Sequence, residues 1–244
     1  MKAIILAAGY AVRLYPLTKE YPKPLLCIGK RPIINYIIDQ LEKIEEIDEI
    51  FVVTNSKFIS RFRKWRKEFH WGKKISLLDD LTKSPDDRLG AIGDMNFAIE
   101  KKRLNDDVLV IGGDNLFDGN LSDFLFFAKT HKSKPVIGAF DIKILGEAKK
   151  YGVIKLDKEN KVIDFKEKPE SPRTTLVAMC VYFFPKAKLG LIQQYLKKNA
   201  NKRDATGFYI DWLRKKEPVY GFIFARRWFD IGQRKVYDEV KKGF

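Results

Sequence analysis

The chain has 244 residues, with 47 Lys and Arg against 32 Asp and Glu, for a formal charge of +15. A hydrophobic fraction of 45% and an aromatic fraction of 13% support a full core, which excludes a disordered or collagen-like chain. Two cysteines in this length, Cys27 and Cys180, make no disulfide framework, and neither has a Cys or His at metal-ligand spacing. Both are expected in apolar surroundings. The positive charge suits nucleic acid, an anionic membrane surface or small anionic substrates. Met1-Lys2 leads straight into an apolar stretch that is too short for a membrane span, and no secretory leader is read. The expectation is a soluble, cytoplasmic protein.

In chain order, Ile4–Ala8 reads as a buried strand. Pro32–Ile44 carries Ile33, Ile34, Ile37, Ile38, Leu41 and Ile44 at helical spacing behind a leading Pro. Ile50–Thr54 is the second strand, and Phe58–Phe69 a basic amphipathic helix. Ile75–Leu78 is a short strand, and Leu89–Ile99 a helix opened by Gly90. Val108–Ile111 is a buried strand ending at Gly112-Gly113-Asp114-Asn115. A helix over Leu121–Thr130 and a strand over Val136–Phe140 follow. This alternation predicts a mostly parallel sheet covered on both faces.

Beyond residue 140 the pattern changes. Gly152–Leu156 and Lys161–Phe165 predict a hairpin across Lys158-Glu159-Asn160, and Leu176–Phe184 a long strand. Helices near Lys186–Lys197 and Gly207–Lys215, a strand at Val219–Phe224 and a short helix near Arg234–Lys242 complete the chain. No Gly/Ser linker, composition break or repeat divides it, so one domain with two lobes, 1–140 and 141–244, is expected.

The junction after the first strand carries the most chemistry. Ala3-Ile4-Ile5-Leu6-Ala7-Ala8 stops at Gly9 and opens into Tyr10-Ala11-Val12-Arg13-Leu14, with Lys23 ten residues beyond Arg13. Small residues let backbone N–H groups approach phosphate oxygens, and two cations neutralise charge on either side. A lone glycine turn after a strand is common, so Gly9 alone carries little. A Rossmann fingerprint would need further glycines leading into a helix, and they are missing here. Asp114 follows a buried strand and two glycines, at the edge where open α/β sheets bind ligands. It suits Mg²⁺ or a simple turn equally.

In company, these residues resemble the sugar-1-phosphate nucleotidyltransferases, the nucleoside-diphosphate-sugar pyrophosphorylases. That family opens with a pattern close to L-A-A-G-x-G-T-R-L-x-P-L-T-x-x-x-P-K-P-L. The chain matches at Leu6, Ala7, Ala8, Gly9, Arg13, Leu14, Pro16, Leu17, Thr18, Pro22, Lys23, Pro24 and Leu25, and departs at Ala11 and Val12. Val12 lacks the hydroxyl that a Thr would offer phosphate. Trp228-Phe229-Asp230-Ile231-Gly232 resembles the family's W-x-D-I-G-T-P block, with Gln233-Arg234 in place of Thr-Pro. Tyr151-Gly152-Val153 and Glu167-Lys168-Pro169 resemble its sugar-phosphate motifs. Asp87–Gly93 resembles its base-reading segment without the usual upstream Gln, for which Thr82 or Ser84 are candidates.

The resemblance covers nearly the whole chain. It implies a Rossmann-like, three-layer α/β/α fold with a mixed, mostly parallel central sheet. It implies transfer of a nucleotidyl group from a nucleoside triphosphate, dTTP or UTP first, to glucose 1-phosphate, releasing pyrophosphate. CTP or GTP, and another sugar or polyol phosphate, stay open. Arg13, Lys23, Asp114 and Lys168 are the implied catalytic groups, and Asp114 and Asp230 the implied Mg²⁺ ligands. Leu6, Ala8, Gly9, Tyr10, Ala11, Val12, Arg13, Lys23, Thr82, Gly90 and Asp114 form the implied nucleotide site. Asn115, Tyr151, Gly152, Glu167, Lys168 and Val177 form the implied sugar-phosphate site.

A family β-helix tail is not implied by a chain ending at Phe244. Oligomeric state is unreadable, and a homo-oligomer is compatible. The cations Lys57, Arg61, Arg63, Lys64, Arg66 and Lys67, with Trp65 and Phe69 among them, read as the solvated face of a helix before they read as a nucleic-acid surface. A non-catalytic nucleotide-sugar sensor would predict a broken metal pair, and both Asp residues are present.

Overall fold

A computed structural model describes residues 1–232 and 234–243, with side chains as far as Lys241; Gln233 lies outside the described residues. In chain order the strands are β1 (Lys2–Leu6), β2 (Cys27–Ile28), β3 (Arg31–Pro32), β4 (Glu49–Thr54), β5 (Lys74–Asp79), β6 (Val108–Gly112), β7 (Asn115–Phe117), β8 (Val136–Asp141), β9 (Gly152–Leu156), β10 (Val162–Glu167), β11 (Leu176–Phe184), β12 (Tyr220–Ile223) and β13 (Trp228–Asp230). The α-helices are α1 (Ile33–Glu42), α2 (Ile59–Glu68), α3 (Gly90–Lys101), α4 (Leu121–Thr130), α5 (Leu145–Ala148), α6 (Gly190–Lys198), α7 (Thr206–Leu213) and α8 (Arg234–Gly243).

β1 lies at the centre of a parallel group, between β4 and β6, and β5 extends it beyond β4. Every residue of β6 is buried, which is why its sequence is a continuous apolar run rather than an alternating one. β11 runs antiparallel between β6 and β8, and β12 pairs parallel with β8. The predicted hairpin, β9 with β10, joins the same sheet through Val177 opposite Val153. Strands from both halves of the sequence therefore share one sheet.

Successive residues of β1 face opposite layers. Ala3 and Ile5 pack under α1, α2 and α4, through residues such as Ile37, Phe62 and Phe124. Ile4 packs on the other face under α3, α6 and α7, through Met95, Ile192 and Tyr209. The three-layer α/β/α arrangement follows from that period of two against helices of period 3.6.

Two details depart from expectation. Cys27 is exposed, because β2 is a short ribbon in which Ile28 faces in and Cys27 faces out. β7 and β13 pair antiparallel outside the main sheet, an element of three residues a side that no periodicity announces. On α2, Phe62 and Trp65 are buried and the Trp65 indole donates to Asn35 Oδ1 at 2.8 Å, so neither ring is free to stack on a base.

Candidate active site

The loop after β1 is built for close approach. Buried Asn55 clamps it: its amide donates to Ala8 O at 2.7 Å while its Oδ1 accepts from Phe58 N. Thr18 Oγ1 donates to Ala11 O at 2.7 Å, fixing the far side. Ala11 sits at φ 48°, a left-handed conformation that explains why the family pattern has Gly there. A Cβ added at Gly9 would meet nothing within 4 Å, so open space lies over the backbone that would face a phosphate. Arg13 follows, exposed and lining the same space.

Asp114 leaves β6 through Gly112-Gly113, where backbone passes too close for side chains. A Cβ at Gly113 would lie 2.9 Å from Leu6 O, and Gly113 N donates to that oxygen at 2.8 Å. The β7–β13 ribbon then places Asp230 opposite Asn115, and Ile231 N reaches Asp114 O. Asn115 joins the two strands through its side chain. It accepts from Trp228 Nε1 at 2.7 Å and donates to Cys180 O at 3.1 Å. Lys23 Nζ donates to Asp114 Oδ2. Burial would lower the Lys23 ammonium, but the charges of Asp114 and Asp230 outweigh it and hold its pKa above the ordinary value. Burial and the neighbouring Asp114 push Asp230 up to about 6, against the pull of Lys23, Lys168 and Arg13.

Two carboxylates in one another's field are a fit for a hard divalent cation, which relieves that repulsion. Among the described residues no cluster of three or more His, Cys, Asp or Glu could hold a metal. Two carboxylates suit Mg²⁺, which takes few protein ligands and completes its shell with water and phosphate.

On the other side of this pair stand the second-half motifs. Glu167 ends β10 and Gly152 opens β9, directly opposite in register. Burial raises the Glu167 carboxyl, with Lys168 opposing. α7 approaches so closely that a Cβ at Gly207 would lie 1.8 Å from Glu167 Oε2. Thr206 Oγ1 and Tyr182 OH are 2.6 Å apart beside it. Val177 stands elsewhere: it is fully buried against Ala148 and Val153 and does not line the cavity, because its neighbours Leu176 and Ala178 take the other face of β11. Cys180 does reach the cavity, and burial pushes its thiol up to about 12.

At the opposite end, Gly90 has φ +77° and lies against Arg203 and Asp204. Thr82 is turned away from the cavity; its Oγ1 donates to Asp80 Oδ1 at 2.8 Å and pairs with Tyr10 OH at 3.0 Å. Asp80, Asp94 and Arg88 line this end; Arg88 falls within the Asp87–Gly93 segment read from the sequence, while no sequence signal marks Asp80 and Asp94. Arg88 holds Asp204 through a two-pronged ion pair across the cavity mouth.

The Arg13 loop, the Asp114–Asp230 pair, the Gly152–Glu167 end and the Gly90 end border one cavity of about 570 Å³. Of the residues expected from the sequence, Leu6, Ala8, Gly9, Tyr10, Ala11, Val12, Arg13, Gly90, Asp114, Asn115, Tyr151, Gly152, Glu167, Lys168 and Asp230 line it. Lys23 reaches it through Asp114. Lys150, Thr206 and Gly207 join them without a sequence signal.

Residues 2–243 match the nucleotidyl transferase family. The chain belongs to that family. Its members are enzymes, and the motif blocks of the sequence are those that meet in the cavity. The nucleotidyl transferase chain is 32% identical over 240 residues to the bifunctional protein GlmU of Methanocaldococcus jannaschii, covering 96% of itself and 52% of that protein. It is 28% identical over 241 residues to a mannose-1-phosphate guanyltransferase of Debaryomyces hansenii, covering 96% of itself and 62% of that protein. It thus spans about half to three-fifths of these relatives. A solved UDP-glucose pyrophosphorylase, complexed with UDP-glucose, superposes with a TM-score of 0.80 at 20% identity, covering 99% of this chain and 97% of that one. That likeness establishes the Rossmann-like fold. No described helix is long and apolar enough to cross a membrane.

Proposed function

We propose that the chain transfers a nucleotidyl group from a nucleoside triphosphate to a sugar 1-phosphate, releasing pyrophosphate. One observation carries the reading: Asp114 and Asp230, with Lys23 bonded to Asp114 behind them, line a single cavity together with Arg13 and Lys168. A cavity with cations at both flanks and a carboxylate pair between suits two phosphate-bearing substrates meeting at one ion.

In this reading the Gly9–Val12 backbone and Arg13 take the triphosphate, and Lys23 neutralises the departing pyrophosphate while holding Asp114 in place. Asp114 and Asp230 would hold Mg²⁺, which, when bound, offsets charge on the α-phosphate and the leaving group. Lys168 takes the sugar phosphate, whose oxygen attacks the α-phosphorus in line. That oxygen is already anionic, so no general base is required, and catalysis is positioning and charge stabilisation. Glu167, with its carboxyl at the Gly207 face, accepts hydrogen bonds from ring hydroxyls. Glucose 1-phosphate is the first acceptor to test, with mannose 1-phosphate beside it.

Pyrophosphate release across the common triphosphates and several sugar 1-phosphates tests the reading. Turnover with at least one pair is expected, lost in Asp114→Ala. Lys168→Ala should raise KM for the sugar phosphate more than for the triphosphate. No turnover with any pair, despite nucleotide binding, would overturn it.

A further inference from the structure

The charge of α2 takes no part in the cavity. Residues 57–74 hold eight Lys and Arg against a single acid, Glu68, and so carry seven of the chain's fifteen excess positive charges. None of them lines the cavity. Phe62 and Trp65 turn one side of α2 to the core. Spacings of three and four residues then collect Ser60, Arg63, Lys64 and Lys67 on the opposite side, with Arg61 and Glu68 at its edge, and all six are exposed.

Little in the chain offsets this charge. Lys57 reaches Glu20 at 3.7 Å and Lys64 reaches Glu68 at 3.8 Å, but among the described residues Arg61, Arg63 and Lys67 form no ion pair. Arg63 and Lys67 stand four residues apart, where like charges repel. An anionic partner would turn that repulsion into attraction.

We infer that this face docks the protein on an anionic bilayer surface. The apolar side of α2 is spent on the core, so the helix does not sink into the acyl chains; it lies against the head groups by charge alone. Tyr21, 38% exposed, stands beside the face with the Arg61 guanidinium 5.7 Å from its ring centre. A ring with a polar tip suits the head-group level. A single-stranded nucleic acid would ask for rings on which bases stack, whereas Phe62 and Trp65 are buried and Trp65 is bonded to Asn35. A second copy of the chain brings the same charge and is repelled. Attachment by charge alone is reversible and is released by salt.

Co-sedimentation of the full chain with lipid vesicles tests this. Vesicles of phosphatidylcholine with about 30% phosphatidylglycerol should carry it down at about 0.05 M salt and release it at about 0.5 M, where the Debye length falls to roughly 4 Å. Phosphatidylcholine alone should not bind it. The double variant Arg63→Gln/Lys67→Gln should weaken partition about 25-fold, about fivefold for each cation removed. Lys197→Gln/Lys198→Gln takes the same charge from exposed positions of α6, over the other face of the sheet, and should weaken it by less than about twofold. Both variants should melt at the wild-type temperature. Equal weakening by the two would overturn the assignment to this face. Binding to phosphatidylcholine alone, or none to the anionic vesicles at low salt, would overturn the bilayer as partner. So would retention on duplex RNA at a salt concentration that releases the vesicles.

Discussion

The Trp228 indole donates to Asn115 Oδ1 at 2.7 Å, across 113 residues of sequence, and so ties β13 to β7 at the point where Asp230 and Asp114 meet. The Asn115 amide nitrogen donates to Cys180 O, and its side chain is thereby committed to scaffold contacts. Trp228→Phe removes this bond and leaves most of the apolar contact with Tyr151 and Phe140. Stability should fall by about 1 kcal/mol, the worth of one such bond. The larger effect is expected in function if Asp114 and Asp230 hold Mg²⁺ as proposed: groups that support metal ligands typically matter by about 10–100-fold. The Mg²⁺ concentration for half-maximal turnover should rise by about tenfold at unchanged sugar-phosphate KM. An unchanged Mg²⁺ requirement would show that the ribbon is held by its backbone alone.

Lys23 is expected to matter for chemistry more than for binding. It bonds Asp114 and is one of the cations that hold Asp230 down. In the proposed reaction Lys23→Met removes a charge aimed at the developing leaving group, for which losses of about 10²–10³ in kcat are typical. Steady-state kinetics should show kcat falling by that order with a smaller change in triphosphate KM. A change confined to KM would place Lys23 in ground-state binding instead.

Gly207 controls the Glu167 end of the cavity. A single methyl there would lie 1.8 Å from Glu167 Oε2 and 2.7 Å from the Phe165 ring, so one or both must move. Gly207→Ala should cost about 1–3 kcal/mol of stability by overpacking. It should also raise the sugar-phosphate KM by about tenfold or more, since a displacement of this size at a positioning group is expensive. Binding of the nucleoside triphosphate alone, measured by calorimetry, should stay within about twofold, because Gly207 lies at the Glu167 end. Equal weakening of both substrates would contradict the division of the cavity into two ends.

What the sequence made legible and what it hid have different physical origins. The strands of the main sheet could be read because burial on both faces makes them short continuous apolar runs, and the helices that cover it because burial on one face imposes a period of 3.6. The Arg13 loop could be read because its small residues and cations are contiguous. The β7–β13 ribbon could not: three residues a side are too few to show alternation, and its partners are 113 positions apart. The base end misled for a related reason. The missing Gln pointed to Thr82 or Ser84 as substitutes, yet Thr82 is consumed by Asp80 and Tyr10. Asp80 read alone is an acid at a strand end, like any solvated turn. Only the packing of α3 over β1 and β4 leaves Asp94, like Asp80 beyond the end of β5, buried at the same end of the cavity.

That buried pair has a signature in stability. Burial first, then the charge of Asp80, raise the Asp94 carboxyl well above its ordinary value; Asp204 adds to the rise and Arg203 opposes it. In the unfolded chain Asp94 titrates near about 3.9. Between that value and the folded one, the native state binds more protons than the unfolded state, so stability falls as pH rises. The contribution is fully present only below about pH 4 and is lost through the folded titration. Asp94→Asn keeps a donor for Asp80 and removes the proton requirement. Urea unfolding at pH 7.5 should therefore find the variant more stable than the wild-type chain, on the order of 1–3 kcal/mol for a buried polar group relieved of its penalty. At pH 4.5 the advantage should shrink toward zero. The other carboxylates titrate alike in both proteins and cancel in the difference. An advantage that is equal at the two pH values, or a variant less stable at pH 7.5, would mean that Asp94 is not held protonated by its neighbour.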